Sequence, residues 1–178
     1  MSNYRRAHEG GASYFFTVVT HRRQPILVRP DVLEALRDAF RCVRQARPFR
    51  LEAVVILPDH MHAIWTMPPG DAEFGQRWGM IKRHVSKAAS RTISAPVGDS
   101  MRVRGEFGIW QRRFWEHLIR NDEDYARHMD YIHYNPVKHG HVARPADWPH
   151  SSFRKCVEQG IYPADWASGI DIEGEFGE

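Results

Sequence analysis

The order in which hydrophobic periodicities change along the chain constrains the fold more than any other feature of this sequence. Runs rich in aromatic and β-branched residues indicate strands, whereas apolar residues three or four positions apart indicate helices. The pattern alternates between the two kinds of element and ends on a helix. The predicted elements are a strand over 12–20, a helix within 29–48, two strands within 49–69 hinged near Pro58 and Asp59, a helix over about 71–92, a strand over 109–120 and a helix over about 121–138.

Local signals indicate where two of the helices begin. Asp31 follows Pro30 and is predicted to cap the first helix, which Pro48 closes. Asn121 or Asp122 is predicted to begin the last helix. The buried face of the first helix is expected to carry Val32, Leu33, Leu36, Phe40 and Val43.

This order of elements matches the split βαβ plan, also described as ferredoxin-like or RRM-like, and places the chain in the α+β class. An antiparallel sheet of this kind has helices packed on one face, so we expect the other face to be open for a site. Residues 94–108 are predicted to form a mobile loop, and the Pro- and Trp-rich chain beyond Gly140 an irregular wrap. We therefore predict a domain over 1–143 and a C-terminal extension over 144–178 with an acidic tail.

The composition excludes several classes of protein. No apolar run reaches the roughly 18 residues of a membrane span, and the opening MSNYRRAHEGG lacks the apolar region of a secretory signal. A cytoplasmic protein is therefore expected. Cys42 and Cys156 have neither metal-site nor disulfide-framework spacing, so both thiols are predicted to be reduced and structural.

Positive charge is concentrated in the body of the chain, although the net charge is only +3. From Asp165 onward there are 5 acidic residues and no Lys or Arg, which leaves 25 basic and 17 acidic residues before it. A basic body with interleaved aromatic residues suits a nucleic-acid backbone with exposed bases, while a solvated surface is the alternative. The tail could be disordered, or it could lie on the basic face and compete with DNA. The candidate DNA contacts are Arg5, Arg6, Lys82, Arg83, Arg112 and Arg113.

Two histidines lie one residue apart in the predicted strand that contains the sequence LPDHMHAIWTMP. Side chains two apart in a strand share a face, so His60 and His62 emerge together while Met61 points to the opposite layer. Two imidazoles placed in this way can hold one divalent metal, although such a pair alone is more often explained by packing. Asp59 could orient one of the rings, or it could be a turn residue.

The last helix offers the groups that a metal-dependent reaction would need. Tyr131 and Asn135 are four apart and share a helical face, so a nucleophile and an amide oxygen ligand could meet the same metal. A metal held by His60, His62 and Asn135 would polarise a phosphate, and Tyr131 would attack its phosphorus. Tyr134 is the competing tyrosine, but at helical pitch it points away from the ligand face.

For the remaining histidines and tryptophans, packing or a surface contact is the preferred interpretation. His128 precedes Tyr131 by one turn and could touch the site. Trp110 and Trp115 could stack on bases, but at least one of them is expected to pack in the core. The other histidines considered are His133, His139, His141 and His150.

Several segments together resemble a known family. PDHMHAIW is similar to the His-hydrophobic-His motif of the HUH endonuclease superfamily, and YIHYNPVKHG to the single-tyrosine helix of its transposase branch. With YRR, GGASYFFTVVT, RFWEHLIRN, DWPHSSF and GIYPADW, the chain resembles the REP-associated tyrosine transposases of bacteria over about residues 4–166.

The resemblance implies a domesticated transposase that cuts and rejoins single-stranded DNA at REP hairpins with a flanking tetranucleotide, through a 5′-phosphotyrosine intermediate. It implies a nucleoid-associated enzyme with Mg²⁺ or Mn²⁺ bound by His60 and His62, and Tyr131 as its nucleophile. Asn135 falls where insertion-sequence relatives often carry Gln. Two alternatives stay open: a nucleic-acid-binding regulator that has lost catalysis, and an unrelated zinc hydrolase.

Overall fold

The computed structural model describes residues 9–93 and 107–166, and this part of the chain is built on a four-stranded antiparallel sheet. The strand order is β2-β3-β1-β4, and each strand runs antiparallel to its neighbours. This order confirms the split βαβ plan, because the second strand of each βαβ half lies at an edge. The strands are β1 (Ser13–Val19), β2 (Arg50–Ile56), β3 (His60–Thr66) and β4 (Trp115–Leu118).

Two helices, α1 (Pro30–Ala46) and α2 (Phe74–Ala89), pack on one face of the sheet. The strands direct alternate side chains toward them, including Phe16, Met61 and Trp65. The Trp65 ring stacks on Trp78 of α2 with a centroid distance of 4.3 Å. These aromatic side chains form the core on the face of the sheet opposite to His60 and His62.

The second face of the sheet is covered by α3 (Asp122–Lys138) and the short α4 (Phe153–Glu158). The sequence predicted an open face here, but Met129 and Ile132 of α3 and Phe153 of α4 bury it. Periodicity identified the apolar stripe of α3 without identifying the layer that the stripe covers. The candidate site therefore lies between a sheet and a helix rather than on an exposed surface.

The start of α3 agrees with the sequence, whereas the start of α1 differs. Asn121 caps α3, since its side chain accepts a hydrogen bond from the Asp124 amide at 2.8 Å. Asp31 does not cap α1, which begins at Pro30 with Arg29 as the N-cap residue. The Asp31 carboxylate instead accepts two hydrogen bonds from the Arg29 guanidinium, both at 3.1 Å.

The strand predicted over 109–120 is broken in the middle. Trp115 pairs with Thr17 of β1, and the Gln111 amide donates to the Val19 carbonyl at 2.9 Å. Residues 112–114 therefore lie opposite Val18 alone, as in a β-bulge, and Arg112 is exposed. Arg5, Arg6, most of the predicted loop over 94–108 and the tail beyond 166 lie outside the described residues.

No helix within residues 9–93 and 107–166 combines the length and the apolar character that crossing a membrane requires.

Candidate active site between the sheet and helix α3

The centre of the candidate site is the histidine pair of β3. His60 and His62 point to the α3 face, are only 2% and 0% exposed, and have ring centroids 5.0 Å apart. Met61 is buried in the opposite core, as the strand alternation predicted. The two imidazoles therefore lie side by side in a nearly closed space.

One nitrogen of each ring is held by a neighbouring side chain. His60 Nδ1 lies 2.6 Å from a carboxylate oxygen of Asp59, and His62 Nδ1 lies 2.9 Å from the Thr17 hydroxyl. Hydrogen bonds of this kind orient metal-binding histidines and define which nitrogen binds the metal. Nε2 is therefore the nitrogen of each ring that suits a metal, and the donor set fits a divalent ion.

Asp59 is itself fixed from the other side. The Arg23 guanidinium donates to its second carboxylate oxygen at 3.1 Å. Burial alone would raise the pKa of Asp59, but the hydrogen bonds with His60 and Arg23 hold that pKa below its ordinary value. The carboxylate therefore stays ionised and accepts the His60 N–H.

Helix α3 places three polar side chains above the pair at intervals of four residues. Tyr131 is 1% exposed, and its ring centroid is 5.2 Å from that of His62. One turn later Asn135 is fully buried, and His139, at the helix end, lies 5.1 Å from His60 by ring centroids. These three side chains form a line along the histidine pair, with Asn135 between Tyr131 and His139.

A residue that the sequence analysis missed contacts the tyrosine hydroxyl. Lys138 Nζ donates to the Tyr131 hydroxyl at 3.1 Å and lies 4.8 Å from the ring centroid. Seven residues are close to two helical turns, so this spacing could have shown that both side chains share a face. The Lys138 ammonium therefore lies where negative charge on the phenol oxygen would develop in a reaction.

The competing tyrosine and the other histidines have different environments. Tyr134 is only half-buried. His133 is buried, and its Nε2 lies 2.9 Å from the Ser152 hydroxyl. The His141 ring stacks on Trp148 at 5.2 Å, and His150 contacts the same indole.

A second cluster, made of His117, Asp124 and His128, lies at the start of α3. Its potential ligand atoms are all within 4.8 Å of one another. The Asp124 carboxylate, however, already accepts from His117 and from Arg127, at 2.8 and 3.0 Å. Burial alone would raise the pKa of Asp124, but these hydrogen bonds hold it far below its ordinary value. We therefore interpret the cluster as a hydrogen-bonded link between β4 and α3.

Phe15 connects this cluster to the histidine pair. Its ring lies 4.8 Å from His128 and 5.4 Å from His62, and its edge faces Tyr131 at 6.1 Å. Burial lowers the pKa of His128. A neutral His128 behind Phe15 supports the floor of the site by packing.

Of the predicted DNA contacts within the described residues, Lys82 and Arg83 lie on α2, and Arg112 lies across a cleft from them. Arg83, Arg112 and Arg113 are exposed. Lys82 is half-buried and donates to the Gln111 carbonyl at 2.9 Å. Trp110 is 9% exposed and packs in the core between the sheet and helices α1 and α2, as expected for at least one of Trp110 and Trp115.

Comparison with known proteins gives close relatives over nearly the full chain. The chain is 44% identical over 170 residues to the REP-associated tyrosine transposase of Escherichia coli K12, covering 96% of this chain and 93% of that protein. It is 42% identical over 173 residues to a Haemophilus influenzae protein assigned to the same group, covering 97% of each. No protein-family model matches the chain.

A solved structure is also similar. A REP-associated tyrosine transposase bound to a REP hairpin superposes with a TM-score of 0.82 at 43% identity, covering 100% of this chain and 98% of that one. The strand order and the helices described above therefore have an experimental counterpart of high sequence identity.

Proposed function

The chain belongs to the REP-associated tyrosine transposases, and on that premise we propose that it is a single-stranded DNA endonuclease and strand transferase acting on REP-type hairpins. The observation that supports this most directly is the buried Tyr131 hydroxyl above the His60–His62 pair, with Lys138 donating to it. The proposed nucleophile, the two proposed metal ligands and a cation lie close together, an arrangement that suits metal-assisted attack on a phosphodiester.

Binding of the metal is assigned to His60 and His62 through Nε2, with the amide oxygen of Asn135 as the third ligand. When bound, Mg²⁺ or Mn²⁺ supplies Lewis-acid polarisation of the scissile phosphate. Asp59 and Thr17 hold the two imidazoles in the orientation that this needs. Arg23 keeps the Asp59 carboxylate in place.

Cleavage is assigned to Tyr131. Its phenol oxygen attacks the phosphorus, the bond from phosphorus to the 3′ oxygen breaks, and a 5′-phosphotyrosine link and a free 3′ hydroxyl result. The phenol proton goes to solvent, and the departing 3′ oxygen takes a proton from solvent. Lys138 stabilises negative charge on the phenol oxygen as it attacks, and stabilises it again when a 3′ hydroxyl displaces the tyrosine during rejoining.

The partner is a hairpin DNA with a single-stranded flank. The structural relative is bound to a REP hairpin. Arg83, Arg112 and Arg113 of this chain are exposed and suited to phosphate contacts. Sequence would then be read from the unpaired bases of the flank.

The experiment that tests this proposal is incubation of the protein with a labelled single-stranded hairpin and Mn²⁺. We expect a protein–DNA adduct that survives denaturation and disappears when His60 is changed to Ala. Binding without any adduct at several Mn²⁺ and Mg²⁺ concentrations would instead favour a regulator without catalysis.

A further inference from the structure

A second concave feature lies on the other side of the sheet from the histidine pair. A cleft of about 340 Å³ separates α2 from residues 107–112. Its size is at the lower end of the range for small-molecule sites, so it suits one nucleotide rather than a duplex. The side chains at the cleft include the cations Arg83 and Arg112 and the aromatic Phe107, which is 41% exposed.

One wall of the cleft contains a glycine in the middle of a helix. Gly79 lies within α2, where glycine costs roughly 0.5–1 kcal/mol relative to alanine. Among the described residues, and leaving aside its chain neighbours and the surrounding backbone of α2, no atom lies within 4 Å of the place where its Cβ would be. Packing of those residues therefore does not require glycine here, whereas close approach of a ligand to the helix backbone would.

The opposite wall is held in place by Lys82. Its Nζ donates to the Gln111 carbonyl at 2.9 Å and lies 5.5 Å from the Phe114 ring centroid. Lys82 is bound to the wall of the cleft at this end. Arg83 and Arg112 are therefore the cations at the opening of the cleft that can contact an anion.

The cleft is close to the histidine pair although it lies on the other face. Gln111 is hydrogen-bonded to Val19 at the end of β1, and Val19 pairs with His60 on β3. Two strand spacings, about 10 Å, therefore separate the cleft wall from His60. This separation is between backbones within the sheet, so a single strand that passes around the end of β1 to the other face would need a few nucleotides.

The turn between the two places is basic and strained. Arg22 and Arg23 have φ angles of 55° and 51°, a left-handed conformation that costs a non-glycine residue on the order of 1 kcal/mol or more. Both are exposed, and Arg23 contacts Asp59. A strand that crosses this turn from the cleft to His60 would pass the cations Arg22 and Arg23.

We infer that the cleft binds one unpaired nucleotide of the single-stranded flank, within a few positions of the scissile phosphate. The base lies against Phe107, and its phosphate lies between Arg83 and Arg112. This inference rests on the proposed cleavage function and adds to it the place where the flank is read.

The test uses hairpin oligonucleotides that each lack one base of the flank, with affinity measured by fluorescence anisotropy. For the unaltered protein we expect roughly tenfold weaker binding when one particular base, within a few positions of the cleavage point, is missing. Gly79→Leu, which fills the cleft, and Phe107→Ala should each weaken binding of the intact DNA by a similar factor. Both variants should become insensitive to loss of that base.

The control is Gln45→Leu, which places the same apolar side chain on the exposed surface of α1. It should bind DNA and respond to the missing base as the unaltered protein does. Equal affinity for every abasic oligonucleotide, or continued sensitivity in both cleft variants, would overturn the inference. Adduct formation by the unaltered protein is recorded in parallel, because its absence would overturn the proposed cleavage function and not the cleft assignment.

Discussion

Replacing Lys138 with Met tests whether the cation at the Tyr131 hydroxyl acts in catalysis. The substitution removes the 3.1 Å hydrogen bond and the charge 4.8 Å from the ring, and keeps a long unbranched side chain. A hydrogen bond from a charged group contributes about 1.5–3 kcal/mol. Because Lys138 is exposed to solvent, we expect the lower half of this range, which corresponds to a loss of roughly 10- to 50-fold in rate.

The assay is single-turnover adduct formation on a labelled hairpin at saturating protein and Mn²⁺, with DNA affinity measured in parallel by fluorescence anisotropy. The deficit of Lys138→Met should lie in the rate of adduct formation and not in the affinity for DNA, because the ammonium contacts the phenol oxygen. Lys138→Arg keeps the charge and should recover most of the rate. Both variants are compared with Lys155→Met, which removes an exposed lysine of α4.

Two results would refute this reasoning. A rate for Lys138→Met within twofold of the rate of the unaltered protein would mean that the ammonium does not stabilise the attacking oxygen. A deficit that is matched by equally weaker DNA binding would place Lys138 among the phosphate contacts instead.

Three further predictions follow from the site and its surroundings. Tyr131→Phe should bind hairpin DNA but form no adduct, whereas Tyr134→Phe should form it; an adduct in the first variant would move the nucleophile to Tyr134. Asp59→Ala should weaken Mn²⁺ binding roughly 10- to 100-fold in calorimetric titration, because the His60 ring loses its orienting partner; unchanged affinity would contradict that role. Burial lowers the pKa of His133 from its usual 6.5 to about 4, so the folded state binds fewer protons between these values. The free energy of unfolding should therefore decrease by roughly 3 kcal/mol as the pH falls from 6.5 to 4, and the contribution of His133 should be constant outside that range. Urea unfolding of His133→Gln, measured over the same pH range, should lack this decrease. Identical pH profiles for the variant and the unaltered protein would rule out a contribution from His133.

Much of the site could be predicted from short-range sequence patterns. The two-residue period of β3 predicted that His60 and His62 share one face of the strand. The helical period of α3 predicted that Tyr131 and Asn135 share one face of the helix. Both rules depend only on local backbone geometry. They hold because these residues lie well inside regular elements.

Features that depend on contacts between distant segments were not predictable in the same way. The pattern of α3 gave its apolar stripe but not the sheet face that the stripe covers. The predicted strand over 109–120 was wrong in its middle, because three residues lie opposite one residue of β1. Asp31 has the residue type of a helix cap, but Arg29 binds its carboxylate and Pro30 begins the helix.

The packing of α3 on the sheet of its own chain has a consequence for the stoichiometry of the proposed reaction. Tyr131 and the two imidazoles belong to one polypeptide, so one molecule carries a complete set of these groups and can hold one 5′ end. The first cut should therefore be first order in the protein–DNA complex. Any process that must keep two DNA ends covalently attached at once would need two molecules, and its rate would depend on protein concentration.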